Sequence, residues 1–584
     1  MTFSQMPYER PSKEATETEI RRLISDFVSA PDFEAADSVF IEEDVFYRHV
    51  NTMRTLCFIR HSIDTRDEFY DNEEQFWNEF SPRLSEYLQE WTKALLSSPF
   101  RKSFEEKYGE VLFLNAEISV KSFSPEIIPL LQKENDLCLE YENLLASARI
   151  SFEDGVYNLP KLAVLKNDPD DARRLSAWKA EGKWYSENGE KLDGIYDELV
   201  SLRDEAGRTL GYTDFTQLGY YRMSRNCYDK DDVECFRSAV LKYLVPVAEK
   251  LCMEQAKRLG VAYPMSFADN ALLFRDGNPK PAGGYEHIMT QVKKFFDSLS
   301  EETSEFFADM LKNEAMDLLA KEGKAGGGFC ESIFDYEIPF IFANFNGTRD
   351  DVETLTHEAG HAFAGWYNRK RVPAQNVWPS LEACEVHSMS MEFFGWLNAE
   401  GFFGPDAGKF RLAHLTSAIT FIPYGTMVDH FQHIVYENPR LSPEERHFQW
   451  KKLLGIYMPW LRLDGEIPFY SEGKGWQRQS HIYTDPFYYI DYCLAQTVAL
   501  SFWTLISEDP AEAWKKYMAF TSLGGSRTFE GLLEAAGLES PFDPECLKNV
   551  CLKAAKWLNE QESGCAAAPC GAGIPLSNPP SPLP

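Results

Sequence analysis

The stretch "NGTRDDVETLTHEAGHAFAGW", Asn346 to Trp366, carries a turn signal, a helix start and two histidines in one short run. Asn-Gly is turn chemistry. After it Val352, Leu355, Ala359, Phe363 and Trp366 recur at helical intervals, and Asp350, Asp351 and Glu353 read as an N-cap with acids in the first turn. On that helix His357 and His361 lie one turn apart on one side, so two imidazole nitrogens can converge on a single ion. Glu358 is rotated to sit beside the remaining coordination position. An ordinary helix can carry two histidines by chance, so the spacing alone is weak. A catalytic zinc needs a third protein ligand and an open position for water.

The search for that ligand leads to "PSLEACEVHSMSMEFFGW", Pro379 to Trp396, which offers Glu382, Glu385, Glu392 and His387. Glu385 and Glu392 share a helical face with Ser388 and Met389, whereas His387 points elsewhere. Glu385 is the expected ligand, leaving Glu382 or Glu392 to orient a histidine ring. Upstream, "YEIPFIFANFNGT", Tyr336 to Thr348, is aromatic and β-branched and closes on Asn-Gly, which predicts a strand and turn. Elsewhere the pattern is overwhelmingly helical, as in Asp170 to Gly211, where apolar residues recur every three or four positions and Gly211 reads as a stop.

Composition sets the outer limits. The 584 residues, 44% of them hydrophobic, are enough for a large core. A formal charge of -32, from 59 Lys and Arg against 91 Asp and Glu, argues against a nucleic-acid partner, because there is no excess of cations to replace phosphate counterions. The start of the chain has no apolar core of a secretory signal, and Phe487 to Ile506 is interrupted by Asp491 and Gln496, so it reads as a buried helix and not a membrane span. Twelve irregularly spaced cysteines read as reduced thiols. The expectation is a cytoplasmic protein without membrane or nucleic-acid partners. Residues 563–584, rich in Pro, Gly, Ala and Ser, read as a mobile tail.

The series "ANFNGT", "TLTHEAGHAF", "LEACEVHSMSMEF" and "HIYTDPFYYIDY" resembles the oligoendopeptidase F group of the thimet-oligopeptidase-like zinc metallopeptidases, from about Arg60 to Gly537. The resemblance implies a mainly α, prolate body with a deep substrate channel and a small β-sheet beside one zinc ion. It implies His357, His361 and Glu385 as zinc ligands and Glu358 as base, in agreement with the helix geometry. A helical N-terminal domain over 1–165, a catalytic domain over 166–562 and the tail complete the expected organisation. The strand from Ile338 to Asn346 is expected at the channel edge, with Phe342, Ala343, Asn344 and Phe345 lying along an extended peptide, since a peptide can pair its backbone with an open strand edge. Gly326, Gly327 and Gly328 just before it would permit close backbone approach.

Amide hydrolysis also needs fixed donors for the developing oxyanion. In "HIYTDPFYYIDY" these are expected at His481, Tyr489 and Tyr492, the two tyrosines standing three apart as the family's pair does. The thimet branch has a further tyrosine where this chain reads "TDPF", which leaves Tyr483 and Tyr488 as alternatives. The chemistry implied is hydrolysis of short unstructured oligopeptides by zinc-activated water with Glu358 as general base. The alternative is a carboxypeptidase or dipeptidyl carboxypeptidase, which would need a cation such as Arg478 or Arg527 for the substrate's terminal carboxylate.

Overall fold

The computed structural model describes residues 1–463 and 465–567 and is mainly helical, with two small sheets among those residues. Local signals set the helix starts. Ser12 accepts from the Ala15 amide to open α1 (Lys13–Val28), Asp32 accepts from the Ala35 amide to open α2 (Phe33–Ile63), and Asp67 caps α3 (Glu68–Leu96). One apolar core runs from Phe3 to Leu558, and a smaller cluster with Leu23, Phe27, Phe40, Trp91 and Phe104 ties the N-terminal helices together. The stretch read as one helical region up to Gly211 is two helices, Asp171–Glu187 and Gly189–Thr209, with Gly211 at φ +88° just past the end.

One sheet is a hairpin of β1 (Ile150–Phe152) and β2 (Gly155–Tyr157). The other has three strands, β3 (Met316–Leu319), β4 (Phe329–Ile333) and β5 (Ile338–Phe345), in the order β3-β5-β4. β5 is antiparallel to β4, with Phe342 opposite Phe329, and parallel to β3, with Ile341 opposite Met316. This corrects the expected open edge at Phe342, Ala343, Asn344 and Phe345. β5 is the central strand, and Phe342, Ala343 and Phe345 are buried in the core. Past the end of β4, the Asn344 side chain donates to the carbonyls of Ala325 and Gly327, both at 2.9 Å, so the preceding loop closes that side. The sheet's edge toward the motif helix is β4.

Four further helices carry the site: α4 (Asp350–Asn368), α5 (Leu381–Phe394), α6 (Ala407–Glu437) and α7 (Tyr489–Glu508). α7 is the buried helix expected from Phe487 onward. Among the described residues no helix is long and apolar enough to cross a membrane. The cysteines from Cys57 to Cys551 are free thiols. The last helix, Pro544–Ala567, continues past residue 563, where a tail was expected; residues 568–584 of that tail lie outside the described residues.

Candidate active site

α4 starts as the sequence suggests, but its acids act differently. Arg349 occupies the cap position and Asp351 turns back, accepting from the amides of Asn346 at 2.9 Å and Gly347 at 2.8 Å. The carboxylate thus fastens the Asn-Gly turn to the helix and fixes the angle at which α4 leaves the sheet.

Gly360 then decides how close α5 can come. A Cβ there would lie 2.5 Å from the His387 carbonyl oxygen, so only glycine permits this contact between α4 and α5. The close approach brings Glu385 Oε2 to 3.3 Å from His357 Nε2 and 3.6 Å from His361 Nε2. All three ligand atoms fall within 4.8 Å of one another. Two ligands at tetrahedral zinc, each about 2.0–2.1 Å away, stand about 3.3–3.4 Å apart, so the cluster has the spacing and the donor set of a His2Glu zinc site.

The surroundings hold those donors in place. His357 Nδ1 meets Glu392 Oε1 at 2.7 Å, and Glu392 Oε2 meets His414 Nε2 at 2.8 Å. Trp396 donates its indole N–H to His414 Nδ1 at 2.9 Å, which puts the His414 proton on Nε2, facing Glu392. Burial opposes ionisation of Glu392, yet the hydrogen bonds from His357 and His414 hold its carboxyl down at about 2. Of the two glutamates left open by the sequence, Glu392 therefore orients the histidine. Glu382 instead accepts from Ser380 at 2.6 Å, and burial beside Asp491 pushes it up to about 7. His387, the competing nitrogen, faces away and packs against Tyr517 and Phe520.

Glu358 is buried and lies beside the glycine loop, where a Cβ on Gly328 would come 3.3 Å from its Oε1. Burial raises its carboxyl above the usual range, with His357 and His361 pulling the other way. A bound cation would lower it further. Gly327 adopts φ +88°, which a side chain would strain.

The opposite wall comes from the short helix Ser480–Thr484 and the start of α7. Tyr488 donates to Glu385 Oε1 at 3.0 Å, and its ring lies 4.9 Å from that of Tyr492, one helical turn on. Burial and then the Glu385 charge raise both phenols, so both remain protonated donors. Tyr489 has no hydrogen bond to Glu385; its ring lies 5.2 Å from His481, 5.8 Å from Phe421 and 5.9 Å from Tyr424. Tyr483 is fully buried and stacked on Tyr141. The pair facing the ligand glutamate is thus Tyr488 and Tyr492. The spacing of four was the available signal for Tyr488.

His481 stands among all three rings, 5.2 Å from Tyr489, 5.8 Å from Tyr488 and 5.9 Å from Tyr492. Gln479 Nε2 lies 3.0 Å from His481 Nδ1, and Tyr424 donates to Gln479 Oε1 at 2.9 Å, which fixes the amide's orientation. A donor at Nδ1 places the imidazole proton on Nε2. Burial lowers the His481 pKa, so the ring is a neutral N–H donor at pH 7.

The chain is similar to known peptidases over most of its length. Residues 3–123 match the Peptidase M3 N-terminal domain and residues 291–551 match Peptidase family M3. The chain is similar to an X-ray structure assigned as an oligoendopeptidase F, at 43% identity and a TM-score of 0.92 over 96% of this chain and 100% of the other. It is similar to Pz peptidase A solved with an inhibitor, at 43% identity and a TM-score of 0.91 over 96% and 99% of the two chains. Oligopeptidase PepF of Bacillus subtilis strain 168 is 22% identical over 89% of this chain and 79% of its own. The similarity begins near residue 3, well before the Arg60 at which the sequence resemblance was read. Fold, histidine–glutamate cluster and full-length similarity converge: the chain belongs to peptidase family M3, in its oligoendopeptidase F group of metalloendopeptidases.

Proposed function

We propose that the protein is a zinc-dependent endopeptidase of short, unstructured oligopeptides, working in the cytoplasm. The observation that carries the zinc assignment is the convergence of His357, His361 and Glu385, with His357 backed by Glu392. When bound, zinc supplies a Lewis acid that makes water a nucleophile near neutral pH and polarises the scissile carbonyl. Glu358, beside the position that the three ligands leave open, takes the proton of the attacking water and delivers it to the leaving amine. Tyr488, Tyr492 and His481 aim O–H and N–H donors at the oxyanion from the opposite wall.

An extended peptide is expected to add along β4, whose single strand neighbour is β5 and whose first residue follows the glycine loop beside Glu358. That mode requires an unfolded substrate, hence the restriction to oligopeptides. The free thiols suit a reducing compartment. The test is to strip metal with a chelator, restore it with zinc, and follow cleavage of a quenched peptide beside a folded globular protein. Activity on the peptide should vanish and return, with the folded protein intact. Full activity without metal, or digestion of the folded protein, would overturn the reading.

A further inference from the structure

A cluster of charge lies beside the donor wall and takes no part in the chemistry above. Lys166 donates to both oxygens of Glu181, at 2.7 and 2.6 Å, and this pair is buried. The Tyr470 hydroxyl donates to the same Glu181. Arg478 donates in turn to the Tyr470 oxygen at 3.2 Å. Two cations therefore share one carboxylate, and among the described residues no acid forms an ion pair with Arg478. Glu181 is taken up by Lys166, so the Arg478 charge is left open to a further anion.

Arg478 is also placed to meet substrate. It is exposed, although the aromatic residues around it, Tyr470, Tyr185 and Tyr141, are buried. Its charge bears on Tyr424 and Tyr489, and Tyr424 leads through Gln479 to His481. A chain of hydrogen bonds, Arg478 to Tyr424, Tyr424 to Gln479 and Gln479 to His481, thus joins the guanidinium to the oxyanion donors. A planar guanidinium with free N–H groups is suited to bidentate capture of a carboxylate.

We propose that Arg478 is the anchor of a substrate subsite for a peptide carboxylate, either the C-terminus or an Asp or Glu side chain, next to the catalytic donors. The proposal rests on the zinc-endopeptidase reading for its substrate class. It gives the enzyme a way to favour peptides whose free end, or an acidic residue, lies a fixed distance beyond the cleaved bond, without making it an exopeptidase.

Two pairs of quenched peptides test it. The first pair differs only in a C-terminal carboxylate against a carboxamide. The second pair is amidated throughout and differs only in Glu against Gln beyond the cleaved bond. Wild type should favour the carboxylate member of at least one pair by about tenfold in KM, the size of one good charge-assisted contact. R478Q should abolish that preference while cleaving the neutral members nearly as before. R478K, which keeps the charge but not the fork, should retain part of it. The responding pair identifies the terminus or the side chain as the anchored group. No preference in wild type, or an undiminished one in R478Q, overturns the proposal; should R478Q fail to fold, wild type and R478K decide. Calorimetric Kd values for the same peptides on E358Q give the preference without cleavage. Absence of turnover in wild type would therefore count against the endopeptidase reading, while the Kd ratios still decide the subsite.

Discussion

The two walls of the site are built in different ways. The ligand wall is two helices, α4 and α5, and its working groups are helical neighbours: His357 with His361, Glu385 with Ser388 at 3.0 Å. The donor wall is a short helix and a turn, and its groups are held from afar. Arg225 donates to the Phe487 carbonyl oxygen and, at 2.8 Å, to Asp491, while Gln432 accepts from the Phe487 amide at 2.9 Å. Phe487 itself sits at φ +69°, a strained conformation for a phenylalanine that turns the chain so that Tyr488 faces Glu385. The candidate ligands are thus placed largely by local periodicity, and the candidate oxyanion donors by tertiary contacts. Substitutions on the first wall should change metal content; those on the second should change kcat at constant metal.

The largest effect should come from the one residue of α4 that breaks this division. Glu358→Gln keeps all three ligands but cannot accept a proton, so turnover should fall about a hundredfold to ten-thousandfold with zinc retained. Glu385→Gln should lose zinc and recover partly when zinc is added. Metal analysis after dialysis, with turnover in both states, checks this. The reverse pattern would mean that base and ligand have been exchanged.

Next are the tyrosines. Tyr488→Phe and Tyr492→Phe should each lower kcat by about a hundredfold with little change in zinc, as for loss of one preorganised donor. Tyr489→Phe should cost less than about threefold, because Tyr488, and not Tyr489, donates to Glu385. Equal losses at all three would remove the distinction drawn between them.

A smaller effect concerns His387, the histidine on the ligand wall that binds nothing. Burial lowers its pKa to about 3, so the folded state resists protonation that the unfolded chain accepts near 6.5. Stability from this group is present above pH 6.5 and is lost as pH falls toward 3. At pH 5 the loss is about 2 kcal/mol. His387→Leu should therefore keep its zinc and unfold at a higher temperature than wild type at pH 5, with the gap narrowing at pH 7.5. Loss of zinc in this variant would return His387 to the ligand set.

How much of this was legible follows from the same contrast. α4 and its two histidines can be read because helical spacing brings them together, and Glu385 because it shares a face of α5 with Glu392, while the approach of the two helices depends on Gly360. The choice between Glu382 and Glu392 could not, since it depends on His414 arriving from α6. β5 was misread as an edge, although its nearly unbroken apolar run, "IPFIFANF", is the pattern of a strand covered on both sides. Spacing does not separate Tyr488 from Tyr489, because the turn at Phe487 that aims Tyr488 at Glu385 is set by Arg225 and Gln432, more than fifty residues away in sequence.

The smallest predicted effect probes the donor wall at its most remote link. Gln479 does not face the metal; it fixes the tautomer of His481 by donating to Nδ1. In Gln479→Leu only the Ser480 hydroxyl, at 3.5 Å, remains near that nitrogen, so part of the population should carry the proton on Nδ1 and present a lone pair to substrate. A fall in kcat of roughly threefold to tenfold is expected, with zinc unchanged, since one donor is weakened and not removed. The lost bond stabilised the neutral ring, so the His481 pKa should rise and the acid limb of the kcat/KM profile move to higher pH. Gln479→Glu should be worse than Gln479→Leu although it is closer in shape, because a carboxylate accepts from Nδ1–H and selects the wrong tautomer outright. If the glutamate variant matches wild type, His481 does not act as an Nε2–H donor, and the oxyanion rests on Tyr488 and Tyr492 alone.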